Sequence, residues 1–242
     1  MRYALISDIH SNLEALEAVA DSVAKDRVDR YLCIGDIVGY AADPKEVIRF
    51  VQFLHPEAIV AGNHDWGVAG LMDMEYFNED AVTAISWTKG MLNHGEIDYL
   101  GSLDLTYEGK GFTLVHGSLE SPAEFHYILN AGDAYVTVTL MKTPVCFVGH
   151  SHCPGIFYSS DGKMEKLDGW KAKLAPDKKY VINIGSVGQP RDYDPRASYA
   201  VYDTEEGVVE IKRTSYDVDN AKGKILKAGL PSYLGYRLME GK

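Results

Sequence analysis

Seven polar residues, spread over five short motifs, are of the types that bind metal ions. The motifs are Asp8-Ile9-His10, Gly35-Asp36, Gly62-Asn63-His64-Asp65, His116-Gly117 and Gly149-His150-Ser151-His152. A set that mixes carboxylate, amide oxygen and imidazole suits Mn, Fe, Zn or Ni, whereas Mg and Ca prefer oxygen ligands. The pattern predicts a hydrolytic site with two metal ions. Its candidate ligands are Asp8, His10, Asp36, Asn63, His116, His150 and His152.

Each motif follows a short apolar run rich in β-forming residues. The runs are residues 2–7, 31–34, 58–61, 112–115 and 145–148. Because strand ends of an open α/β sheet bring side chains from distant parts of the chain into one crevice, we expect the seven candidates at one edge. A single Asp-x-His or Gly-Asn-His-Asp motif could be only a turn. Five motifs at five strand ends favour the metal site.

The order of these motifs resembles that of the calcineurin-like metallophosphoesterase superfamily, which carries D-x-H, GD, GNH, H and GH-x-H. The match extends from Asp8 to His152. Residues 183–191, with the sequence NIGSVGQPR, resemble a segment of the small bacterial and archaeal phosphodiesterase-like branch, and so does GDIVGY at residues 35–40. The resemblance therefore covers most of the chain.

The resemblance implies an assignment of ligands to two divalent transition-metal ions. One ion is held by Asp8, His10 and His152, the other by Asn63, His116 and His150, and the Asp36 carboxylate bridges them. Two close divalent ions need a shared anion, and a metal-bridging hydroxide is available at neutral pH for attack on phosphorus. The resemblance favours Mn or Fe as the ions, and the ligand types also accept Zn or Ni.

His64 and the bridging Asp36 are the predicted catalytic residues. His64 follows the candidate ligand Asn63 directly, and the resemblance implies that it stabilises phosphoryl oxygens or protonates the leaving oxygen. An imidazole that titrates near neutrality suits either task. The alternative is a histidine that only orients metal ligands.

Gly39 departs from another branch of the superfamily. In Ser/Thr protein phosphatases an aspartate at this position, three residues after the bridging aspartate, orients the catalytic histidine, whereas this chain has glycine. The protein-phosphatase interpretation therefore loses support. Asp65 is adjacent to His64, but side chains of neighbouring residues diverge, so we expect it to serve a helix start at Trp66 or a ligand imidazole.

Arg191 and Tyr40 are the predicted substrate-binding residues. Arg191 lies in a loop rich in Gly and Pro, and its planar guanidinium suits phosphate oxygens. The alternative for Arg191 is an ion pair with Asp192 or Asp194 that holds the loop. Tyr40 is either a cover over the leaving group or an aromatic residue packed within its loop.

The composition predicts one globular domain over residues 1–242, since 242 residues with 46% hydrophobic side chains can bury a full core. A formal net charge of −11 argues against long DNA or RNA as a substrate. A small phosphoester remains compatible, because two divalent cations reverse the local field.

Three cysteines give no disulfide framework, and Cys33 and Cys146 are expected to be buried in strands. Cys153 follows His152, but the family pattern already fills the metal coordination, so we expect no thiolate ligand. Asp8 interrupts the only apolar run near the N-terminus. We therefore expect no signal peptide, no membrane segment and a cytoplasmic location.

The N-terminal third is predicted to alternate strands with helices. Ser11 and Glu14 match a capping box at the start of one helix, and Asp43 followed by Pro44 begins the next. Residues 71–101 and 217–228 are also predicted to be helical. Residues 103–107, 155–158, 163–167, 180–183, 198–203 and 208–213 alternate as strands.

Periodicity alone predicts an α/β or α+β fold. The resemblance implies a four-layer sandwich in which two mixed β-sheets are flanked by α-helices. Residues 229–242 either pack on the surface or contribute to a contact in a homo-oligomer.

The predicted function is that of a metal-dependent phosphoesterase, and the branch resemblance favours a phosphodiesterase for small phosphodiester or nucleotide-type substrates. The alternatives are a phosphomonoesterase or protein phosphatase, and a non-catalytic interaction scaffold of the same fold. A scaffold is expected to have lost metal ligands, and here none is missing. Specificity is expected to depend on how residues 71–101 and 119–133 fold over the metals.

Overall fold

The strands of the computed structural model, which describes residues 1–242, form two six-stranded sheets. The first sheet contains, in spatial order, β3 (Ala58–Ile59), β2 (Arg30–Cys33), β1 (Arg2–Ile6), β11 (Ala197–Asp203), β12 (Val208–Thr214) and β9 (Lys171–Lys173). The second contains β4 (Thr106–Gly109), β5 (Phe112–Val115), β6 (Val145–Val148), β10 (Tyr180–Asn183), β7 (Gly155–Ser160) and β8 (Lys163–Lys166). Strands β1, β2 and β3 are parallel, as are β5, β6 and β10, and the other pairings are antiparallel.

Eight α-helices flank the sheets. They are α1 (Leu13–Asp26), α2 (Pro44–Phe53), α3 (Asn63–Ala69), α4 (Glu79–Met91), α5 (His94–Gly101), α6 (Ala131–Leu140), α7 (Val218–Lys227) and α8 (Ser232–Glu240). Short 3-10 turns lie at Met74–Tyr76 and Pro122–Glu124. All of these helices are too short or too polar for a bilayer-spanning segment.

Strand β1 shows how the layers are built, because successive side chains of a strand point to opposite faces. Tyr3 and Leu5 contribute to the core between the two sheets, together with residues of the second sheet such as Phe147. Ala4 and Ile6 face outward and contribute to a core with α1 and α2. The second sheet has a matching outer core with α6. The predicted four-layer sandwich of two mixed sheets and flanking helices is confirmed.

The predicted capping box at Ser11 and Glu14 is wrong. Helix α1 begins one residue later, where the side chain of Asn12 accepts a hydrogen bond from the Ala15 N–H at 3.2 Å. Ser11 is in the left-handed region with φ of 58° and ends the loop that carries Asp8 and His10. The Glu14 carboxylate instead accepts from Lys224 of α7 at 2.6 Å. The shape of the ligand-bearing loop thus determines where the helix starts.

Helix α2 begins as predicted, with Asp43 before it and Pro44 at its first position. The Asp43 side chain makes no capping bond and pairs with Lys224 at 2.7 Å. Helix α3 begins at Asn63, and therefore earlier than the expected start at Trp66. Cys33 and Cys146 are fully buried in β2 and β6, as predicted.

Two helices were not predicted from the sequence. Helix α6 contains the β-branched run from Val136 to Thr139, but Asn130 and Asp133 form a capping box at its start. Helix α8 lies in the C-terminal tail, where Leu234 and Leu238 are four residues apart and buried against α7 and α4. The tail therefore packs on the molecule's own helices.

Candidate metal centre

The seven candidate ligands lie at one end of the sandwich and come from both sheets. Strands β1, β2 and β3 precede Asp8, Asp36 and Asn63, whereas β5 and β6 precede His116 and His150. Every one of the seven is buried, with at most 8% of its surface exposed. His152 Nε2 and Asp8 Oδ1, which come from different sheets, are 3.2 Å apart. The structure therefore brings together all seven residues that the sequence singles out.

The side chains form two groups that could each hold a metal ion. Asp8, His10, Asp36 and His152 form one group, and Asp36, His116 and His150 form the other. Within each group the potential ligand atoms lie within 4.8 Å of one another. Asn63 adds an amide oxygen, because its buried Oδ1 has no hydrogen-bond partner. For the six residues other than Asn63, the grouping is the same as the division of ligands that the family resemblance implies.

Asp36 belongs to both groups through one oxygen. Its Oδ1 accepts a hydrogen bond from the His64 N–H at 2.8 Å. Its Oδ2 has no hydrogen-bond partner and lies 3.5 Å from His10 Nε2 and 3.2 Å from His116 Nε2. One anionic oxygen thus lies between the imidazoles of the two groups.

The tautomers of three histidines follow from their backbone partners. His10 Nδ1 lies 3.1 Å from the Val38 carbonyl, His116 Nδ1 2.6 Å from that of Ile34, and His152 Nδ1 2.5 Å from that of Gln189. A carbonyl can only accept, so each Nδ1 carries a proton. Burial lowers the pKa of His10 and His152, so these two rings are neutral and present the lone pair of Nε2 to the centre. This is the tautomer that a metal ion requires. Burial also lowers the pKa of His116, but the charges of Asp36 and Asp8 outweigh it and raise this pKa to about 10.

The electrostatics of the centre favour a cation. Burial alone raises the pKa of Asp8, but His152 and His116 hold it below its usual range. Burial likewise raises the pKa of Asp36, and His116 and His64 outweigh it so that this pKa is also lowered. Two ionised carboxylates are therefore buried together, which is costly unless positive charge compensates them. The oxygen and imidazole nitrogen atoms that lack hydrogen-bond partners are metal ligands of the types that suit divalent transition metals.

Five of the seven candidates have a left-handed backbone. The φ angles are 52° at Asp8, 51° at His10, 51° at Asp36, 64° at His150 and 58° at His152. Such angles are uncommon for residues other than glycine, and strain of this kind concentrates at functional sites. The loops after β1, β2 and β6 are thus shaped to turn these side chains inward.

Asp65 supports the ligand loops, and its carboxylate forms no hydrogen bond to His64 or to a ligand imidazole. Its carboxylate accepts from the backbone N–H groups of Gly62 at 3.0 Å, Ile37 at 2.9 Å and Val38 at 3.3 Å. These residues flank Asn63 and Asp36, so Asp65 joins the loops after β2 and β3. Of the two expected roles, the helix start is the one observed, because Asp65 lies in the first turn of α3.

The ring of His64 lies against Gly39. A Cβ atom at Gly39 would be 2.5 Å from His64 Nδ1, and the φ angle of +103° also favours glycine there. His64 Nδ1 is buried without a hydrogen-bond partner, whereas Nε2 lies on the side of the ring that faces a cavity. Burial lowers the pKa of His64 to about 4 although the Asp36 charge opposes this shift.

Arg191 does not form the ion pair offered as its alternative. Asp192 pairs with Arg213, and Asp194 pairs with Arg196. The Arg191 guanidinium instead donates to Gln189 Oε1 at 2.7 Å and lies 5.6 Å from the centre of the Tyr40 ring. That pairing interpretation is therefore wrong, and the charge of Arg191 faces the cavity.

Four of the seven candidate ligands, Asp36, Asn63, His150 and His152, form the floor of a cavity of about 220 Å³. Tyr40 lines it and is 6% exposed, with its ring against His10 and His64 at centroid distances of 4.7 and 4.4 Å. Residues 72–81 and 124–127 form the other walls. Both segments that were expected to fold over the metals thus contribute residues to the lining of this cavity.

Tyr127 is a lining residue that the sequence did not single out. Its ring is stacked on His150 with centroids 3.9 Å apart and planes inclined by 15°. The run Phe125-His126-Tyr127, nine to eleven residues after His116, was the available signal. Cys153 does not belong to either ligand group, and its thiol donates to the Arg191 carbonyl at 3.2 Å.

Comparison with known proteins agrees with this architecture. A family model for the calcineurin-like phosphoesterase superfamily domain matches residues 1–207. The uncharacterized protein MJ0912 of Methanocaldococcus jannaschii is 41% identical over 243 residues, with 99% of this chain and 98% of that protein covered. The crystal structure of a metallophosphoesterase from Sphaerobacter thermophilus is 38% identical, with a TM-score of 0.87 over 100% of this chain and 99% of the other.

A more distant structure shares the fold. The hypothetical protein PH1004 from Pyrococcus horikoshii OT3 is 20% identical, with a TM-score of 0.82 over 100% of this chain and 98% of the other. The arrangement of both sheets is therefore retained at low sequence identity.

Proposed function

The chain belongs to the calcineurin-like phosphoesterase superfamily, and from this premise we propose that it is a phosphodiesterase with two metal ions that acts on small phosphodiester or nucleotide-type substrates. The observation that carries the proposal is the position of Asp36 Oδ2 between His10 and His116. A shared anionic oxygen is what two neighbouring divalent ions need to lie close together.

In this proposal each of the two ligand groups binds its own metal ion. Asp8, His10 and His152 would hold one ion, Asn63, His116 and His150 would hold the other, and Asp36 would be common to both. Divalent ions bound there would supply Lewis acidity to the phosphoryl group and would make water acidic enough to react near neutral pH. We expect Mn or Fe, and the donor set also accepts Zn or Ni.

His64 acts from the side of the cavity. Its lowered pKa keeps the imidazole neutral at pH 7. Because the buried Nδ1 has no acceptor, the proton resides on Nε2, where it can form a hydrogen bond to a phosphoryl or leaving oxygen. His64 is thus proposed as a hydrogen-bond donor to the group that accumulates negative charge.

Arg191 is proposed to bind non-bridging phosphate oxygens. The bond to Gln189 and the contact with the Tyr40 ring hold its guanidinium without a carboxylate partner. A planar cation fixed in this way offers two parallel N–H groups to a phosphate. Tyr40, buried between Arg191 and the histidines, keeps this side of the cavity narrow.

The shape of the cavity favours small phosphodiesters over phosphoproteins as substrates. Gly39 leaves His64 without the carboxylate partner that protein phosphatases provide, and residues 72–81 and 124–127 rise on two sides of the floor. A compact substrate fits between such walls more readily than a protein surface.

The test is hydrolysis of bis-p-nitrophenyl phosphate compared with p-nitrophenyl phosphate by the Mn-reconstituted protein. Faster cleavage of the diester, lost in both Asp36→Asn and His64→Ala, is the expected result. Preference for the monoester would replace the proposal with a phosphomonoesterase. Inactivity toward both esters, together with failure to bind metal, would favour the interaction scaffold.

A further inference from the structure

One face of the Tyr127 ring is covered and the other is open. The covered face rests on His150 at a centroid distance of 3.9 Å, nearly parallel to it. Tyr127 is nevertheless 50% exposed, whereas Tyr40 and Phe125 in the same cavity are 6% and 3% exposed. Tyr127 and Tyr76, which is 77% exposed, are therefore aromatic lining residues that a ligand can still reach, and of the two Tyr127 is stacked on a candidate metal ligand.

The loop around Tyr127 is fixed by packing of its neighbouring residues. Phe125 is buried with a left-handed φ of 50°, and its ring meets Trp66 and His116 edge-on at 5.6 and 5.9 Å. Gly117 allows this close approach, because a Cβ atom there would lie 2.8 Å from the His126 carbonyl. Asn130 and Asp133 then cap α6 immediately after the loop. Tyr127 is thus presented by a fixed segment, and stacking on it requires little ordering of the loop.

A second part of the cavity lining is also apolar. Phe77 meets the His64 ring edge-on at 5.4 Å and lines the same cavity, as does Met72. The floor of metal ligands is therefore flanked by Phe77 on the side of His64 and by Tyr127 on the side of His150.

We propose that the open face of Tyr127 is a stacking subsite for a planar aromatic ester arm of the substrate, such as a nucleobase. The inference rests on the proposed function, because the phosphate of the same ligand occupies the metal centre. Stacking on an aromatic side chain does not distinguish among the bases, since every base has a π face. The subsite consequently selects for a planar arm and not for one particular base.

The test compares two ligands that carry the same phosphate and differ in the base. Binding of adenosine 5′-monophosphate and ribose 5-phosphate to the Mn-loaded protein is measured by calorimetry for the wild type, Tyr127→Phe and Tyr127→Leu. The wild type and Tyr127→Phe are expected to bind the nucleotide at least about fivefold more tightly than the sugar phosphate. Tyr127→Leu is expected to lose this preference while its affinity for ribose 5-phosphate stays unchanged.

Two controls separate the possible outcomes. Tyr135→Leu replaces a tyrosine of similar exposure (49%) on α6 that does not line the cavity, and it should keep the preference. The Mn content of Tyr127→Leu should equal that of the wild type. A preference that survives in Tyr127→Leu, or that is absent from the wild type, overturns the stacking subsite and leaves the phosphodiesterase proposal intact. Wild-type hydrolysis of bis-p-nitrophenyl phosphate tests that proposal separately.

Discussion

His10 and His152 face each other through their Nε2 atoms at 3.0 Å. In both rings Nδ1 donates a hydrogen bond to a backbone carbonyl, so the single proton of the neutral ring lies on Nδ1. Neither Nε2 therefore has a proton to donate to the other Nε2. Two lone pairs at this distance repel each other, and a cation between them turns the repulsion into coordination. The two rings therefore present a pair of lone pairs that a bound cation would coordinate.

Removal of metal is expected to lower the melting temperature substantially. At a metal concentration about 100 times the dissociation constant, binding to the folded state alone adds about 2.7 kcal/mol to the free energy of unfolding. Thermal melts after dialysis against a chelator, followed by titration with Mn, measure the effect. Equal melting temperatures with and without Mn would contradict it.

His64→Ala is expected to keep both metals and lose catalysis. The ring is not in either ligand group, and in the proposed function it supplies a hydrogen bond to the substrate. We expect kcat for the diester to fall by about 10²–10⁴-fold, the range typical of a lost acid or hydrogen-bond donor. Elemental analysis of the same sample provides the control, and loss of a metal ion in this variant would show that His64 is a ligand.

Gly39→Ala is expected to displace the His64 ring. The new Cβ would lie 2.5 Å from His64 Nδ1, and the residue would be strained at φ of +103°. Strain of this kind costs about 1–3 kcal/mol. Chemical denaturation and diester hydrolysis are measured together, and both stability and kcat should decrease.

Gly111→Ala is the matched control for Gly39→Ala. Gly111 has a φ of +86°, but a Cβ atom there would have no neighbour within 4 Å. This variant should lose a similar amount of stability through its backbone and retain full activity. Full activity in Gly39→Ala would show that the close contact with His64 has no catalytic importance.

Lys224 links α7 to the starts of α1 and α2, and its contribution to stability should depend on pH. Burial lowers its pKa, but hydrogen bonds to Asp43 and Glu14 outweigh burial and raise the pKa above its ordinary value of 10.5. A raised lysine pKa stabilises the folded state below the unfolded-state pKa, and this stabilisation is lost as the pH rises through the folded-state pKa. We expect Lys224→Met to lower the free energy of unfolding by about 1 kcal/mol at pH 7.

The difference between wild type and Lys224→Met should shrink as the pH is raised beyond 10.5. Lys227→Met on the same helix is the control, because Lys227 is exposed and forms no ion pair, and it should change little. Urea denaturation at pH 7 and at alkaline pH measures both variants. A difference that is independent of pH would assign the effect of Lys224 to packing.

The ligand-bearing strands are predictable from the sequence because each is a short apolar run followed by a polar motif. That pattern does not reveal that β1 to β3 and β5 with β6 belong to different sheets, since strand pairing is set by contacts distant in the chain. The sandwich was inferred only through the family resemblance. His152 and Asp8, which meet across the two sheets, illustrate a contact that local patterns cannot predict.

Other features depend on tertiary contacts that override local preference. The run Val136–Thr139 favours a strand, yet the cap at Asn130 and packing of Ala134 and Val138 on the second sheet make it part of a helix. The position of Tyr127 is also not predictable from the sequence, because its stacking on His150 depends on the left-handed turn at Phe125. Nothing in the residue types alone indicates that turn.

The most direct test of the account is the number and coupling of bound ions. The protein reconstituted with Mn is analysed for metal content and by electron paramagnetic resonance, with Asp36→Ala as the comparison. The account predicts two ions per chain with a spin-coupled signal in the wild type, and loss of the coupling when the shared Asp36 oxygen is removed. A single uncoupled ion per chain, or coupling that persists in Asp36→Ala, would contradict it.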